Sequence, residues 1–198
     1  MNIQNAMENL KKRGFAVSFF ETKDDATNYL KDKIQNTSVG FGGSVTVDEM
    51  GLYDALAEKN TVWSHHHGDR ETEIAGASTA DVYISSVNGA AESGELINID
   101  GAGNRVSSTL YGKKEVYFVV GINKFADDYD GALWRARNIA SPKNCHRLNV
   151  KTPCAEKADK CYDCSSPDRI CRGLVVLWGP MRAAEKTEVV IVNEALGY

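Results

Sequence analysis

Glu-Val-Tyr-Phe-Val-Val, residues 115–120, is the stretch of sequence that decides the fold. The five residues after Glu115 are apolar or aromatic and three are valine, which is typical of a strand that is buried on both faces. Such strands occur in parallel sheets that helices cover on both sides. Shorter runs of the same kind occur on either side of this stretch. We predict further strands at residues 15–20, 38–41, 61–63, 81–85, 95–99, 174–178 and 189–192.

Amphipathic segments separate these strands and predict helices. Helices are expected before Gly14, from Asp24 onwards, from Thr46 onwards and over residues 127–140. Thr46 and Glu49 match the S/T-x-x-E capping box, so the third helix is expected to begin there. Pro142 is expected to stop the last helix, because proline lacks the backbone N–H that a helix interior needs. The alternation of strands and helices predicts an α/β fold built on one sheet.

The composition is that of an ordinary globular domain, and we predict a single domain over residues 1–198. Lys plus Arg is 23 and Asp plus Glu is 27, which gives a net charge of −4 and argues against a general nucleic-acid binder. No stretch approaches the roughly 18 consecutive apolar residues of a membrane span. The N-terminus lacks the order of a secretory signal, so we expect a cytoplasmic protein.

Four cysteines, in the pattern Cys154-x6-Cys161-x2-Cys164-x6-Cys171, form the strongest local motif. Four thiolates in one loop can complete a tetrahedral shell around zinc or an iron-sulfur cluster. The presence of only one CxxC pair favours a 4Fe-4S cluster, with zinc as the first alternative and free or redox-active thiols as the second. We interpret residues 150–172 as a metal-binding insertion in the sheet domain, and Cys145 as a small buried residue outside it.

Gly42, Gly43 and Ser44 form a glycine-rich turn between a predicted strand and a predicted helix. Backbone N–H groups that are free of side chains, next to a helix start that includes Thr46 and Glu49, are suited to bind phosphate or carboxylate. A plain turn with Glu49 as a helix cap is the alternative interpretation.

The segment Asn88-Gly-Ala-Ala-Glu92 follows the strand at residues 81–85, where open α/β sheets gather their ligands. Glu92 is a candidate general base, because an apolar strand end raises the pKa of a carboxylate. A tight turn with a solvated glutamate is the alternative. Asn104 and Arg105 follow two glycines and either hold an anion or belong to a hairpin turn.

The run His65-His66-His67 is compatible with a metal site. Adjacent side chains in an extended chain point to opposite sides, so at most two of the three histidines converge on one ion. We therefore interpret the run as a loop and leave open whether it binds anything.

Longer motifs resemble the LUD-domain family, which is linked to bacterial lactate utilisation. The resemblance rests on GFGGSVTVDEMGL (40–52), SSVNGAAESGELINIDGAGNRVSSTLYG (85–112), VYFVVGINK (116–124) and ALWRARNIASPKN (132–144). KTPC, CYDC and SSPDRICR, within 151–172, resemble a subset of the family that carries the four-cysteine insertion. The resemblance implies a Rossmann-like open sheet flanked by helices, as in the sugar-phosphate isomerase and CoA-transferase superfamily. In that superfamily a glycine-rich loop holds the anionic end of the ligand and an acidic turn lies opposite.

Three hypotheses about function follow. In the first, the protein belongs to organic-acid metabolism, binds a small carboxylate or phosphorylated metabolite at Gly42, Gly43, Ser44 and Glu92, and uses an iron-sulfur cluster for electron transfer as an oxidoreductase component. In the second, it is an isomerase-like or transferase-like enzyme with a structural metal. In the third, it is a non-catalytic subunit that docks iron-sulfur oxidoreductase partners. The substrate and the oligomeric state, including a homo-oligomer, stay open.

Overall fold

A computed structural model describes all residues, 1–198, and shows an α/β fold around a six-stranded sheet. Every neighbouring pair in this sheet is parallel. Its strands are β1 (Ala16–Phe20), β2 (Ser38–Phe41), β3 (Thr61–Trp63), β4 (Val82–Ser85), β7 (Glu115–Gly121) and β10 (Lys186–Val192). They are arranged in the order β1-β10-β7-β4-β2-β3. The predicted open sheet flanked by helices is therefore confirmed.

Nine α-helices surround the sheet. They are α1 (Ile3–Lys12), α2 (Lys23–Lys33), α3 (Val45–Glu49), α4 (Leu52–Ala57), α5 (Arg70–Thr79), α6 (Asn104–Leu110), α7 (Tyr129–Arg135), α8 (Ser141–Arg147) and α9 (Pro153–Lys157). A 3₁₀ turn at Ile122–Lys124 follows β7 directly. None of the helices is both long enough and apolar enough to cross a membrane.

Strand β7 lies at the centre of two apolar cores, as its sequence predicts. Tyr117 and Val119 belong to the core under α2, α3 and α4, whereas Val116, Phe118 and Val120 belong to the core on the other face. Each of these five residues has at most 1% of its surface exposed. The alternation places one core on each face of the sheet, so β7 joins the two.

A second sheet was not predicted. Strands β5 (Gly89–Ala91), β6 (Leu96–Asp100), β8 (Phe125–Ala126) and β9 (Gly173–Leu177) form a four-stranded mixed sheet in the order β8-β5-β6-β9. One face of this sheet packs on the core that contains Leu10 of α1, through Leu96 and Leu177. The expectation of one sheet is wrong because strands of two to five residues give no pattern that assigns them to a separate sheet.

The helix after β2 begins earlier than the capping box predicts. Ser44 is the N-cap residue, and its side chain accepts a hydrogen bond from the backbone N–H of Val47. Thr46 lies inside α3, is fully buried and donates its hydroxyl to the carbonyl of Leu196 at 3.1 Å. The helix ends before Gly51, whose φ of +62° is left-handed, so α4 begins as a separate helix.

Pro142 does not stop the helix in which it lies. Residues 129–147 are helical throughout, with a π-helical turn at Ala136–Ala140 between α7 and α8. The carbonyl of Ala136 accepts from both the backbone N–H and the hydroxyl of Ser141. This wider turn accommodates the proline at the start of α8, where the missing N–H is tolerated. The expectation that the helix ends at residue 140 is therefore wrong.

Gly40→Ala should destabilise the protein by roughly 1–3 kcal/mol, because the packing of α5 on β2 leaves no room for a side chain. A Cβ atom at Gly40 would lie 2.6 Å from the carbonyl oxygen of Ala77 in α5. We expect the urea unfolding midpoint to fall. Gly173→Ala is the matched control, because its nearest neighbour would be the carbonyl oxygen of Asp100 at 3.9 Å. Equal midpoints for the two variants would contradict this packing argument.

A candidate anion-binding cavity

A cavity of about 600 Å³ lies at the carboxyl ends of the central strands. Each segment that follows β2, β3, β4 and β7 reaches it, because the carboxyl ends of parallel strands meet at one edge of a sheet. These segments contribute Gly43–Val45, His65 and His66, Ser86–Asn88, and Lys124. The other lining residues come from the start of α5, from the end of β6 to the start of α6, from α8 and the residue after it, from the end of the cysteine segment (residues 150–172), and from Tyr198.

Positive charge dominates the lining of the cavity. Asp100 is the only acidic side chain in the lining, and it lies 3.7 Å from the Nε atom of Arg105. The six Lys and Arg side chains in the lining are Arg70, Arg105, Lys124, Arg147, Arg169 and Arg172. This excess occurs in a chain whose net charge is −4, so it is local to the cavity. The cavity is therefore suited to an anion.

Arg105 holds the wall of the cavity together. Its Nη1 atom donates to the carbonyl of Ser86 and to the side chain of Asn98, and its Nη2 atom donates to Asn88 Oδ1 and to the carbonyl of Ile99. Burial lowers the pKa of Arg105 from its usual range. Because these four hydrogen bonds occupy the terminal N–H groups, Arg105 contributes charge to the cavity rather than free donors.

Lys124 is buried at the inner end of the cavity, with only 4% of its surface exposed. Its Nζ atom donates to Ser86 Oγ at 3.0 Å and to the carbonyl of Val87 at 3.2 Å. Burial, followed by the charges of Arg135 and Arg105, lowers its pKa to about 7, against a small opposing effect of Glu49. An amine in this state changes its charge near neutral pH.

Two of the three adjacent histidines line the cavity. His65 packs against Gly43, where a Cβ atom would lie 2.9 Å from its ring, and burial lowers the pKa of His65. His66 lies 3.3 Å from a carboxylate oxygen of Asp48. His67 instead stacks on the ring of Tyr53 at 3.7 Å. The run is a loop, as interpreted; the rings of His65 and His66 pack edge to face with their centroids 4.4 Å apart, and only His67 points away from them.

The structure brings five of the predicted ligand-binding residues to this cavity: Gly43, Ser44, Asn88, Asn104 and Arg105. Gly42 does not line the cavity but lies next to Arg105, and a Cβ atom at Gly42 would be 2.7 Å from the Cγ atom of Arg105. Neither Thr46 nor Glu49 lines the cavity. They bind the C-terminal segment instead, since Glu49 accepts the backbone N–H of Gly197 at 2.7 Å and Thr46 donates to Leu196. Asn104 and Arg105 begin helix α6, so the hairpin alternative for them is wrong.

Glu92 lies apart from the cavity. Its carboxylate accepts a 2.6 Å hydrogen bond from the backbone N–H of Asn2 and a 3.1 Å bond from the side chain of Asn5, at the start of α1. These two hydrogen bonds lower its pKa, so the expectation of a raised pKa is wrong. Glu92 is therefore surrounded by the polar start of α1 and not by the expected apolar strand end. Its role as a general base stays a prediction.

The structure does not gather the four predicted metal ligands into one site. Cys154 is buried beside Cys145 and lies 3.3 Å from Thr152 Oγ1. Cys161 is partly exposed, and its sulfur lies 3.9 Å from Nη2 of Arg137. No group of three or more His, Cys, Asp or Glu side chains has an arrangement that could hold a metal ion. As placed, these cysteines do not fit a four-thiolate site, and the 4Fe-4S cluster and its zinc alternative stay predictions.

The cysteine segment nevertheless forms part of the cavity wall. Cys171 and its neighbours Arg169 and Arg172 line the cavity. Arg169 donates to the carbonyls of Cys171 at 2.9 Å and Cys164 at 2.7 Å, so its guanidinium organises the backbone that carries two of the cysteines. The segment, which the sequence predicts to be a metal-binding insertion, is thus also part of the candidate site.

Most of the cations in the cavity were missed by sequence reasoning. Lys124 had a usable signal, because it follows the buried strand at residues 115–121 after only two residues, at the edge where ligands gather. No sequence signal points to the other four cations, because each lies on a helix or loop whose position depends on long-range packing. They are Arg70, Arg147, Arg169 and Arg172.

Comparisons with known proteins agree with this architecture. The model of a family described as the LUD domain matches residues 3–192. No curated protein is significantly similar in sequence. A solved structure of a DUF162 family protein from Deinococcus radiodurans has a TM-score of 0.58 at 12% identity and covers 96% of both chains, which supports the fold. Ribose 5-phosphate isomerase A from Neisseria gonorrhoeae has a TM-score of 0.37 at 15% identity over 53% of both chains, too low to support a shared fold.

Glu92→Gln should reduce stability at neutral pH and leave ligand binding in the cavity unchanged. The folded protein lowers the pKa of Glu92 below its ordinary value of 4.5, so its ionised carboxylate stabilises the fold above that pH. This contribution is lost as the pH falls through the lowered pKa. The difference in urea midpoint between the variant and the wild type should therefore exist at about pH 7 and vanish at strongly acidic pH.

Glu8→Gln is the matched control. Glu8 lies on α1, and its one ion pair, with Lys12, is exposed and long at 4.0 Å. We expect no measurable change in the midpoint for this variant. Lost ligand binding with unchanged stability in Glu92→Gln would instead assign Glu92 to the binding site.

Proposed function

The chain belongs to the LUD domain family, and we propose that it acts in organic-acid metabolism of the lactate type by binding a small carboxylate or phosphorylated metabolite in the basic cavity. Family membership supports the metabolic context. The geometry of the cavity supports the chemical class of the ligand.

The observation that carries this proposal is the imbalance of charge in the cavity. Six Lys and Arg side chains line it against one acidic side chain, that of Asp100, which is already close to Arg105. Like charges in a partly enclosed space repel each other, and the low dielectric of the wall strengthens the repulsion. An anion relieves this repulsion, so the cavity gains more from binding a negative ligand than an exposed basic patch would.

The cations differ in how free they are to contact a ligand. Arg147 donates to the hydroxyl of Tyr198 at 2.8 Å and to Asn144, and Arg172 donates to backbone carbonyls of its own segment. Arg70 makes no hydrogen bond to another residue through its guanidinium and lines the same cavity. Arg70 therefore has all its side-chain donors available for a carboxylate or phosphate group.

Size and polarity agree with a metabolite rather than a macromolecule. A volume of about 600 Å³ is within the range of small-molecule sites. Ser44, Asn88 and Asn104 provide uncharged polar groups around the cations. Such groups give a hydroxyl or carbonyl on the ligand hydrogen-bonding partners that charge alone does not supply.

The iron-sulfur cluster is a separate part of the proposal. Binding of the anion needs none of the four cysteines as a ligand to metal, and no step of it passes through a cluster. The spacing of the cysteines in sequence remains the support for the metal, because the arrangement of the side chains does not form a site.

Arg70→Gln should weaken anion binding by roughly tenfold or more, because one charge-assisted hydrogen bond contributes about 1.5–3 kcal/mol. Calorimetry with lactate, pyruvate, inorganic phosphate and a sugar phosphate measures the effect. Affinity should also fall with rising salt concentration.

Arg182→Gln is the matched control, because Arg182 is exposed and lies outside the cavity. It removes the same charge from the chain and should leave the affinity nearly unchanged. Equal losses in the two variants would attribute binding to the overall charge, and no binding of any of these anions would contradict the proposed function.

Anaerobically purified protein should contain iron and acid-labile sulfide in equal amounts, if the four cysteines rearrange to hold a 4Fe-4S cluster. Metal analysis and a visible absorption spectrum test this, and Cys161→Ser should abolish the absorption. Zinc without iron would contradict the cluster and favour the alternative, without affecting the proposal of an anion site.

A further inference from the structure

The amine of Lys124 is placed where a ligand in the cavity can reach it. The residue lines the cavity although only 4% of its surface is exposed, and the two residues that accept hydrogen bonds from its Nζ atom, Ser86 and Val87, line the cavity as well. Two hydrogen bonds, to Ser86 Oγ and to the carbonyl of Val87, fix its position. A primary amine with two such bonds retains one further position for a third group.

No carboxylate neutralises this amine. The charged groups that act on it are Arg135 on α7 and Arg105 on α6, both of which disfavour its protonation, and Glu49 on α3, whose effect is the weakest. Ser86 and Val87, which contact it from the end of β4, are uncharged. With a pKa of about 7, about half of the molecules carry the uncharged amine at neutral pH. An uncharged lysine is a nucleophile, and desolvation beside other cations is the usual way to produce one.

We propose that Lys124 is a nucleophilic amine that forms an imine with a 2-oxo acid held by the cations of the cavity. The inference rests on the proposed function, because a carboxylate must first occupy the cavity. The carboxylate contacts the guanidinium groups, and the neighbouring carbonyl carbon is then presented to Nζ. A 2-oxo acid is the small anion in which a carboxylate and an electrophilic carbon are adjacent.

The reaction balances without an oxidant or a reductant. The lone pair of Nζ adds to the carbonyl carbon and forms a carbinolamine, while a proton passes from nitrogen to oxygen. The hydroxyl group then takes up a second proton and leaves as water, the nitrogen lone pair forms the carbon–nitrogen double bond, and the nitrogen gives up its remaining proton, so that both protons of the amine end in the water. Ser86 Oγ, which is hydrogen-bonded to Nζ at 3.0 Å, can relay these protons.

The same chemistry excludes hydroxy acids as covalent partners, because they have no carbonyl carbon next to the carboxylate. Lactate is therefore expected to bind in the cavity without reacting. A reaction that oxidises a 2-hydroxy acid to the 2-oxo acid must supply the compound that Lys124 captures.

Lys113 is an internal control for this assignment. It is equally buried, with 4% of its surface exposed, but its Nζ atom donates to the carbonyls of Ala77, Ser78 and Ala80 at the end of α5. It does not line the cavity. Three acceptors occupy all of its donors, so burial alone should not make Lys113 reactive.

Incubation with pyruvate followed by borohydride reduction tests the proposal. The wild-type protein should gain one reduced pyruvate adduct per chain, and peptide mass spectrometry should place it at Lys124 and not at Lys113. Lactate should compete with pyruvate and give no adduct. Lys124→Arg should lose the adduct, because arginine keeps the charge but is not a nucleophile.

The pH dependence of wild-type labelling gives a second test that does not need the variant to fold. Because the uncharged fraction before pyruvate binds follows a pKa of about 7, the initial rate at a pyruvate concentration far below saturation should rise about tenfold between pH 6 and pH 8 and then level off. Ordinary surface lysines, with a pKa of about 10.4, would keep reacting faster above pH 8.

The outcomes separate the two proposals. Pyruvate binding without a reducible adduct, or adducts spread equally over surface lysines, would overturn the imine and leave the anion site standing. No binding of pyruvate, lactate or phosphate would overturn both the imine and the proposed function.

Discussion

The buried guanidinium of Arg105 is the interaction on which the arrangement of the cavity depends. Its hydrogen bonds join the end of β4, through Asn88, to the second sheet, through Asn98 and Ile99. A charge at this depth is tolerated only when its N–H groups are satisfied, so removal of any one partner leaves a costly unpaired donor. Gly42 is part of the same constraint, because a side chain there would occupy the space of the Arg105 stem. The glycine-rich turn is therefore required by the arginine as well as by any ligand.

Several cations lie around Arg105 with a single acidic side chain among them, so other side chains of the lining compensate little of their mutual repulsion. Asp100 is the only acidic side chain in the lining, and burial is the largest cause that lowers the pKa values of both Arg105 and Lys124. Partial loss of the proton from Lys124 lowers the net charge of the cavity. An anionic ligand also lowers the net charge of the cavity, through its own negative charge, and it favours the protonated form of Lys124. Anion binding and the protonation of Lys124 are thus linked, and an anion that binds only the folded state should also stabilise it.

The long-range pattern of the fold could be predicted from the sequence, whereas the contacts that build the site could not. Residues 115–120 predict a parallel strand that is buried on both faces. In such a strand every side chain enters an apolar core, so the sequence shows an almost unbroken apolar run. The second sheet is made of strands too short to show periodicity. Glu92 was misplaced because a turn of small residues looks the same whether it faces a ligand or, as here, the start of α1. Lys124 could have been found from its position just after β7, but the exposed arginines converge only through tertiary packing.

The cysteine segment connects its thiols to the charge of the cavity through Arg169. The guanidinium of Arg169 donates to the backbone of both Cys164 and Cys171, and the same side chain lines the cavity. A tetrahedral site for one metal requires the four sulfur atoms to converge, which they do not do here. Convergence would move the backbone carbonyls that Arg169 now holds. Binding of a metal by the four cysteines would therefore shift Arg169, one of the six cations of the lining, although none of the cysteines is needed to bind the anion.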